Sequence, residues 1–233
     1  MATITVTENI KNSKNLYYLQ NTLAQLFCRE DCSSCRQDVG CRSQLIVNFP
    51  DCYEEIIFTE IIDVISEIVA INYKYRYFQN SVKVAGLSSQ EKELLLTSLI
   101  AADLFEDKRY SFERFKGQTE IAIDGIFNFR LQPLRKKWED IVSYMPSCFV
   151  NSQLKDFISF LLENKKKRVY IDGGKVYDSH YKRLLRANLM ENDKLEVVKE
   201  VLLSNCGEIE INGEIPKDDE MYIKEFYKDK IFF

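Results

Sequence analysis

Apolar residues in the first part of the chain occur in short β-branched runs and then at helical spacing. Residues 3–7, Thr-Ile-Thr-Val-Thr, predict a strand, and the apolar spacing that follows predicts a helix to about residue 28. A second short strand is predicted at 45–49, and Asp51 then caps a long amphipathic helix. The pattern indicates a βαβα unit over residues 1–86, which is long enough to form a parallel or mixed sheet.

The middle of the chain, residues 87–166, has helical periodicity. Ser88 and Glu91 form a capping box, in which each side chain bonds the other residue's backbone N–H group, and they predict the start of a helix. A second helix is predicted at 111–143, with a kink at Pro133, and a third amphipathic helix, capped by Asn151 or Ser152, follows it. We therefore expect a helical centre.

The last part, residues 167–233, returns to mixed helix and strand. Residues 168–171 and 175–177 flank Asp-Gly-Gly, a turn sequence that predicts a β-hairpin because both glycines tolerate positive φ. Further along, the pattern predicts a helix at 194–205, a strand at 208–211, a helix at 221–227 and an edge strand at 231–233. The predicted fold class is α/β (α+β), in one compact chain or two lobes.

Arg130 falls in the middle of the apolar face of the predicted 111–143 helix. In one interpretation its stem packs while its head reaches solvent or pairs with an acid, and in the other it forms an anion or partner site. Asp124 and Asn128 lie one helical turn apart on the flank of that face and could join such a site. Gly125 costs about 1 kcal/mol in mid-helix relative to Ala, so we expect it to mark a close approach by another backbone.

Composition and charge narrow the function classes. With 233 residues, 45% of them hydrophobic and 29% charged, the chain can bury a full core and is ordinary for a globular protein. Its net charge of −4 disfavours bulk attraction to nucleic acid or anionic membranes. The most apolar run, 56–71, carries Glu60, Asp63 and Glu67 along one helical face, which is typical of an amphipathic helix and not of a membrane span. With no signal peptide at the start, we expect a cytoplasmic protein.

The cysteines are clustered. Cys28, Cys32, Cys35 and Cys41 have the spacing Cys-x3-Cys-x2-Cys-x5-Cys, and Cys52 is a possible further member. In a chain without an export signal, such a group predicts a metal site or reduced thiols and not disulfides. Four thiolates could hold zinc or, alternatively, an iron–sulfur cluster, and either would order a loop that has almost no apolar residues. The first three also have the spacing of radical S-adenosylmethionine enzymes, although too few strands follow for their barrel.

Other reactive residues have simpler interpretations. Residues 73–78 interleave aromatic and basic side chains, as a single-stranded nucleic-acid groove does, but the end of an amphipathic helix favours core positions for the rings. The basic run 165–168 suits the negative end of a helix dipole, which favours a solvated terminus over the alternative of a phosphate-binding patch. His180 is the single histidine and lies near no nucleophile motif. Since there is no phosphate-binding glycine loop either, the sequence favours a non-enzymatic protein.

One motif resembles a known family. Ile-Asp-Gly-Ile-Phe-Asn-Phe-Arg-Leu at 123–131 resembles the signature of the YtxC-like sporulation proteins of endospore-forming Firmicutes, and Gln-Leu-Lys-Asp-Phe-Ile-Ser-Phe-Leu-Leu at 153–162 falls where that family has a similar segment. The order of elements is also similar along most of the chain. The first 50 residues match least, and Pro133 interrupts a helix that is continuous in the relatives. The resemblance implies a role in sporulation and no known biochemical activity.

These observations lead to one main hypothesis and two alternatives. The main hypothesis is a cytoplasmic, non-enzymatic, YtxC-like protein that acts through contacts with an unknown protein partner. The first alternative is a metal-dependent or iron–sulfur redox protein or enzyme built on the cysteine loop. The second is a nucleic-acid-binding protein, which the net charge disfavours.

Overall fold

The computed structural model describes residues 1–28, 31–163 and 165–232 and confirms the α/β class. The chain begins with β1 (Ala2–Asn9), α1 (Lys14–Thr22), α2 (Ala24–Phe27), β2 (Ser33–Val39), β3 (Arg42–Phe49), α3 (Glu54–Ile68), a π-helical turn (Val69–Tyr73), α4 (Lys74–Ser81) and α5 (Ser89–Phe115). It continues with β4 (Glu120–Ala122), α6 (Ile123–Arg130), α7 (Gln132–Ser143), α8 (Asn151–Leu161), β5 (Arg168–Asp172), β6 (Lys175–Tyr177), α9 (Glu196–Ser204), β7 (Glu208–Asn212), α10 (Lys217–Tyr227) and β8 (Ile231–Phe232).

The chain forms two compact units, each built from two separate stretches. Unit 1 comprises Met1–Tyr73 and Phe105–Asp140, and unit 2 comprises Lys74–Leu104 and Ile141–Phe233. The parts expected from the sequence, 1–86, 87–166 and 167–233, follow chain order instead. Helix α5 contributes residues to both units.

Unit 1 contains a mixed four-stranded sheet in the order β2-β3-β1-β4. Strand β1 pairs antiparallel with β3, where Ile4 lies opposite Val47 and Val6 opposite Leu45, and it pairs parallel with β4. Alternate side chains of β1 and β3 are buried, and α1 packs against both strands and against α3. The predicted strands at 3–7 and 45–49 are confirmed, and helices follow both of them, the first divided into α1 and α2. The prediction that Asp51 caps the second helix is wrong, because Asp51 lies in a 3-10 turn and α3 begins three residues later, at Glu54.

The cysteine segment is a strand where the sequence predicted a loop. Strand β2 pairs antiparallel with β3 from Ser33 opposite Asn48 to Val39 opposite Arg42. Every β2 residue is exposed or half-buried, so backbone hydrogen bonds to β3, and not burial of apolar side chains, order this edge strand. Pairing with β3 therefore gives the segment a source of order that the sequence did not predict, and the expectation that a metal orders it stays a prediction.

The predicted 111–143 helix is divided into three helical pieces. Helix α5 ends at Phe115, and Gly117, with φ of +82°, turns the chain into β4, which pairs with β1. Helix α6 then starts at Ile123, so no continuous face runs from α5 into it. Pro133 is the second residue of α7, where its missing N–H group has no partner to lose.

Unit 2 contains a second four-stranded sheet, in the order β6-β5-β7-β8. Strands β5 and β6 form the predicted hairpin, and its turn residues Gly173 and Gly174 have φ of +52° and +73°. Strands β5, β7 and β8 are parallel, as connections through the helices α9 and α10 require. The predicted elements at 194–205, 208–211 and 221–227 are confirmed, and β8 forms the predicted edge strand, of which Phe233 lies outside the described residues.

The capping predictions have mixed outcomes. Ser88 N donates to Glu91 Oε2 at 2.8 Å and Glu91 N donates to Ser88 Oγ at 3.2 Å, which confirms the capping box before α5. The Asn151 side chain bonds Glu91 instead of capping α8, where Val150 N donates to Gln153 Oε1 at 3.0 Å.

Within the described part of the chain, no helix has the length and apolarity that a membrane crossing needs.

Candidate functional site

Asp124, in the first turn of α6, is held by an arginine that the sequence did not single out. Arg42 Nη1 and Nη2 donate to the two carboxylate oxygens of Asp124 at 2.6 and 2.8 Å, and Nη2 also donates to Thr7 Oγ1 at 2.9 Å. Hydrogen bonding to Asp124 raises the pKa of Arg42. A bidentate pair of this kind is directional, so it fixes the start of α6, the helix that carries the motif at 123–131 (the motif helix), to β1 and β3.

Glu8 is a fully buried carboxylate in the same polar cluster. It accepts hydrogen bonds from Tyr73 Oη at 2.7 Å, Asn9 N at 2.9 Å and Asn15 Nδ2 at 3.2 Å. Burial raises the pKa of Glu8, and the charge of Asp124 adds to that rise, whereas the three hydrogen bonds oppose it. Because its oxygens are occupied by groups of the protein itself, Glu8 organises the core and is not positioned as a general base.

The apolar side of α6 is built around Phe127. Its ring centroid lies 4.5 Å from that of Tyr73 and 5.7 Å from that of Trp138. Trp138 is fully buried, and its Nε1 donates to Asp107 Oδ2 at 2.9 Å. Two links, the Asp124–Arg42 pair and the Phe127 ring cluster, therefore hold the motif helix in place.

The last turn of α6 is exposed. Phe129 is 85% exposed, and Asn128 and Arg130 on either side of it are exposed as well. Arg130 forms no ion pair with any residue that the structure describes. The prediction that Arg130 packs in, or pairs within, an apolar face is wrong, because α6 begins anew at Ile123 and residue 130 no longer shares a face with α5. The partner-site interpretation of Arg130 stays a prediction.

The other motif residues have separate roles. A Cβ placed on Gly125 would lie 3.3 Å from Ala122 Cβ, so the close approach is to a side chain at the end of β4 and not to a distant backbone. Asn128 is exposed and its backbone oxygen accepts from Gln132 Nε2. Asp124 is bound to Arg42, so it does not join Asn128 and Arg130 in one polar site.

An open groove of about 620 Å³ lies between α5 and α7. Its described lining residues are Phe105, Glu106, Asp107, Arg109, Tyr110, Glu113, Arg114, Pro133, Leu134 and Lys137. The three acids and three bases balance, and Asp107 is occupied by Trp138 and by Lys137, whose Nζ lies 3.0 Å from Oδ1. These residues include no serine, cysteine or histidine, so the described lining offers no nucleophile with an adjacent base.

The predicted metal ligands are spread along a hairpin. Cys28 follows α2, Cys32 precedes β2, Cys35 lies within β2, Cys41 lies in the turn to β3, and Cys52 is exposed before α3. Four residues of extended strand, at about 3.3 Å each, carry the chain roughly 13 Å from Cys35 towards the turn. Among the described residues, no group of three or more Cys, His, Asp or Glu is placed to hold a metal ion. The predicted site at Cys28, Cys32, Cys35 and Cys41, for one zinc ion or alternatively for one iron–sulfur cluster, stays a prediction.

Two further candidates from the sequence are also placed. In the 73–78 stretch Lys74, Tyr75 and Phe78 are fully buried, so these residues form core and not a nucleic-acid groove. His180 is exposed, and the carboxylate of Asp178 accepts from its backbone N at 2.8 Å and not from its ring. Neither stretch forms a catalytic arrangement.

Comparisons with protein-family models, with curated proteins and with solved structures found no match to this chain.

Proposed function

We propose that this is a YtxC-like, sporulation-associated cytoplasmic protein that has no enzymatic activity and acts by binding another protein through the end of α6. The binding surface consists of Asn128, Phe129 and Arg130. The observation that carries the proposal is the 85% exposure of Phe129 on a helix whose other side is fixed. Large exposed aromatic residues next to arginine are typical of the residues that contribute most to protein–protein binding.

The fixed side of α6 supports this role because it reduces the entropy cost of binding. The Asp124–Arg42 pair and the Phe127 ring cluster hold the helix before any partner arrives. A preorganised surface loses less conformational freedom on association than a mobile one. The partner is expected to offer an apolar pocket for the Phe129 ring and a carboxylate for the unpaired Arg130 guanidinium.

The site chemistry also favours binding over catalysis. The buried carboxylate Glu8 and the half-buried Asp124 are satisfied by donors of the protein itself. The motif contributes no side chain to an arrangement of nucleophile, base and orienting group. The sporulation role is supported by the motif at residues 123–131, which forms one intact helix and the buried Leu131 that follows it.

The test is complementation of a gene deletion in the spore-forming host. Deletion should lower the number of heat-resistant spores without changing vegetative growth, and the wild-type gene should restore them. The double variant Phe129→Ala, Arg130→Ala should fail to restore them although it folds, since both side chains are exposed. The matched control is Tyr144→Ala, which removes another ring that is 87% exposed, lies outside both family-like segments and should complement fully.

Two results would contradict the proposal. Equal spore counts in the deletion and parent strains would remove the sporulation role. Full complementation by the folded double variant would remove the end of α6 as the binding surface.

A further inference from the structure

Residues 165–183 form a basic island in an acidic protein. This stretch has seven basic residues, Lys165, Lys166, Lys167, Arg168, Lys175, Lys182 and Arg183, against the two acids Asp172 and Asp178. Its net charge is therefore +5, whereas the whole chain has −4. The stretch also contains three tyrosines, and it forms the hairpin β5–β6 and the loop after it in unit 2.

The tyrosines share one face of the sheet. Tyr170 and Tyr177 are direct partners across the β5–β6 pair, so their side chains point to the same side, and Tyr177 is in turn bridged to Arg183. The intervening residues Val169 and Val176 are buried on the opposite face. Two tyrosine rings therefore lie side by side across the β5–β6 pair, and the exposed Arg183 follows Tyr177.

Tyr181 adds a third ring in an unusual conformation. Its ring stacks on Tyr170 with centroids 4.8 Å apart and 21° between the planes, yet the side chain is 67% exposed. Its φ is +56°, a conformation that costs free energy for a bulky residue. The turn is held by Asp178 Oδ1, which accepts from the backbone N of His180 at 2.8 Å and of Lys182 at 3.0 Å. The protein thus keeps an aromatic ring exposed at the surface in an ordered, strained turn.

The cations of the island are available. Lys165, Lys166, Lys167, Lys175, Lys182 and Arg183 are all exposed, and none of them forms an ion pair with a residue that the structure describes. Arg168 is different, because it pairs with Glu208 at 2.8 Å and with Glu210 at 3.6 Å. It thereby offsets one of the two negative charges that the neighbouring strand β7 presents at Glu208 and Glu210.

We propose that residues 165–183 of unit 2, with Tyr170, Tyr177, Tyr181 and the six exposed cations of the island, bind single-stranded nucleic acid. Unpaired bases stack on the tyrosine rings, and the lysines and Arg183 contact the phosphates. Proteins that bind single-stranded nucleic acid combine aromatic rings with basic side chains. Every base has a flat face that can stack on a ring, and every phosphate linkage carries a negative charge that a cation can contact. A duplex keeps its bases stacked on each other and uses only the cations.

The site differs from the 73–78 stretch, in which Tyr75 and Phe78 are fully buried and Tyr73 and Tyr77 half-buried. It also lies on other residues than the end of α6, so its test does not depend on the protein-contact function. The net charge of −4 does not oppose it, since the range of charge interactions in physiological salt is only about 8 Å and the local excess of cations decides.

Fluorescence anisotropy with labelled oligonucleotides of about 12 nucleotides tests the proposal. The labelled oligonucleotides are oligo(U), oligo(dT) and a duplex of the same length. Binding to vesicles of phosphatidylserine is compared with them, because these vesicles offer an anionic surface without bases. We expect single strands to bind more tightly than the duplex and more tightly than the vesicles, with affinity that falls between about 50 and 200 mM salt. Absence of single-strand binding at the lower salt, or a preference for the duplex or the vesicles, overturns the proposal.

Two sets of variants separate the rings from the charges. Tyr181→Ala should weaken single-strand binding about tenfold or more, and Tyr181→Phe, which keeps the ring, should not. Tyr144→Ala is the matched control, because Tyr144 is 87% exposed and lies outside the island. The charge variant is Lys165→Glu with Lys166→Glu and Lys167→Glu, and it should reduce the slope of log affinity against log salt by about 2.

The charge control reverses three exposed lysines elsewhere, Lys11→Glu, Lys116→Glu and Lys136→Glu. It changes the net charge by the same amount and should leave much more binding than the island variant. Equal losses in the two triple variants, or unchanged binding in Tyr181→Ala, would show general attraction to a charged protein and overturn the assigned site.

Discussion

At the scale of single residues, the sequence identified the motif but not its partners. Asp124 was singled out, whereas Arg42 was not, since the two are 82 positions apart and only the folded sheet brings them together. Glu8 could have been found, because it continues the buried alternation of Ile4 and Val6 along β1, and a carboxylate in that series must be satisfied inside. Arg130 was predicted to be buried because helical spacing, counted without a break from residue 111, placed it on the apolar face. The chain leaves the helix between Phe115 and Ile123, so that count does not hold at residue 130.

The buried carboxylate gives a pH-dependent prediction. Burial raises the folded-state pKa of Glu8 above its ordinary value of 4.5, so the folded protein keeps this proton where the unfolded chain has lost it. The stability that Glu8 contributes is therefore complete below the unfolded pKa and is lost as pH rises through the folded pKa. In urea unfolding between about pH 4 and 7, the free energy of unfolding of the parent minus that of Glu8→Gln should fall as pH rises.

The exposed substitution Glu139→Gln is the control for this experiment and should show no such trend. A difference that rises with pH would mean that the hydrogen bonds from Tyr73 and Asn15 outweigh burial and that the folded pKa of Glu8 is depressed.

At the scale of elements, local signals predicted local structures and missed pairings between distant segments. The Asp-Gly-Gly hairpin and the Ser88 capping box were predicted correctly because turn and cap chemistry lies within a few residues. Strand β2 has no buried alternation, since it is an exposed edge held by β3, so periodicity could not reveal it. The α5–α6 break was missed because β4 is only three residues long and is defined by its pairing with β1.

Gly207 tests how closely elements approach each other in unit 2. Its backbone N donates to Lys167 O at 2.8 Å, and an added Cβ would lie 1.9 Å from Lys165 O. Gly207→Ala must therefore move the backbone that leads into β5, and we expect it to lower the free energy of unfolding by about 3 kcal/mol in urea titration.

The matched variant Gly40→Ala also adds a methyl group, but no atom lies within 4 Å of it and only the φ of +60° opposes it. We expect it to cost about 1 to 2 kcal/mol. A Gly207→Ala protein as stable as the parent would show that the 165–167 segment can shift at little cost.

At the scale of the whole molecule, the class of fold was predictable and its division was not. An alternation of predicted strands and amphipathic helices along the chain is enough to indicate the α/β class of fold. The two units each combine an early and a late stretch, and this combination is set by long-range contacts that no local pattern encodes. The cysteine segment shows the same limit, since it was predicted as a loop and its pairing with the distant residues of β3 makes residues 33–39 a strand.

Metal removal is the corresponding test for the whole molecule. Since pairing with β3 gives residues 33–39 a source of order that needs no metal, protein treated with a strong chelator under reducing conditions should melt within about 2 °C of the untreated protein. Six thiols are exposed or half-buried and should react with a thiol reagent without denaturant. Cys206 is fully buried, and burial raises the pKa of its thiol, so it should react only on unfolding. Stoichiometric zinc or iron, four protected thiols that the chelator releases, and a much lower melting temperature afterwards would instead establish the metal site and an opened β2.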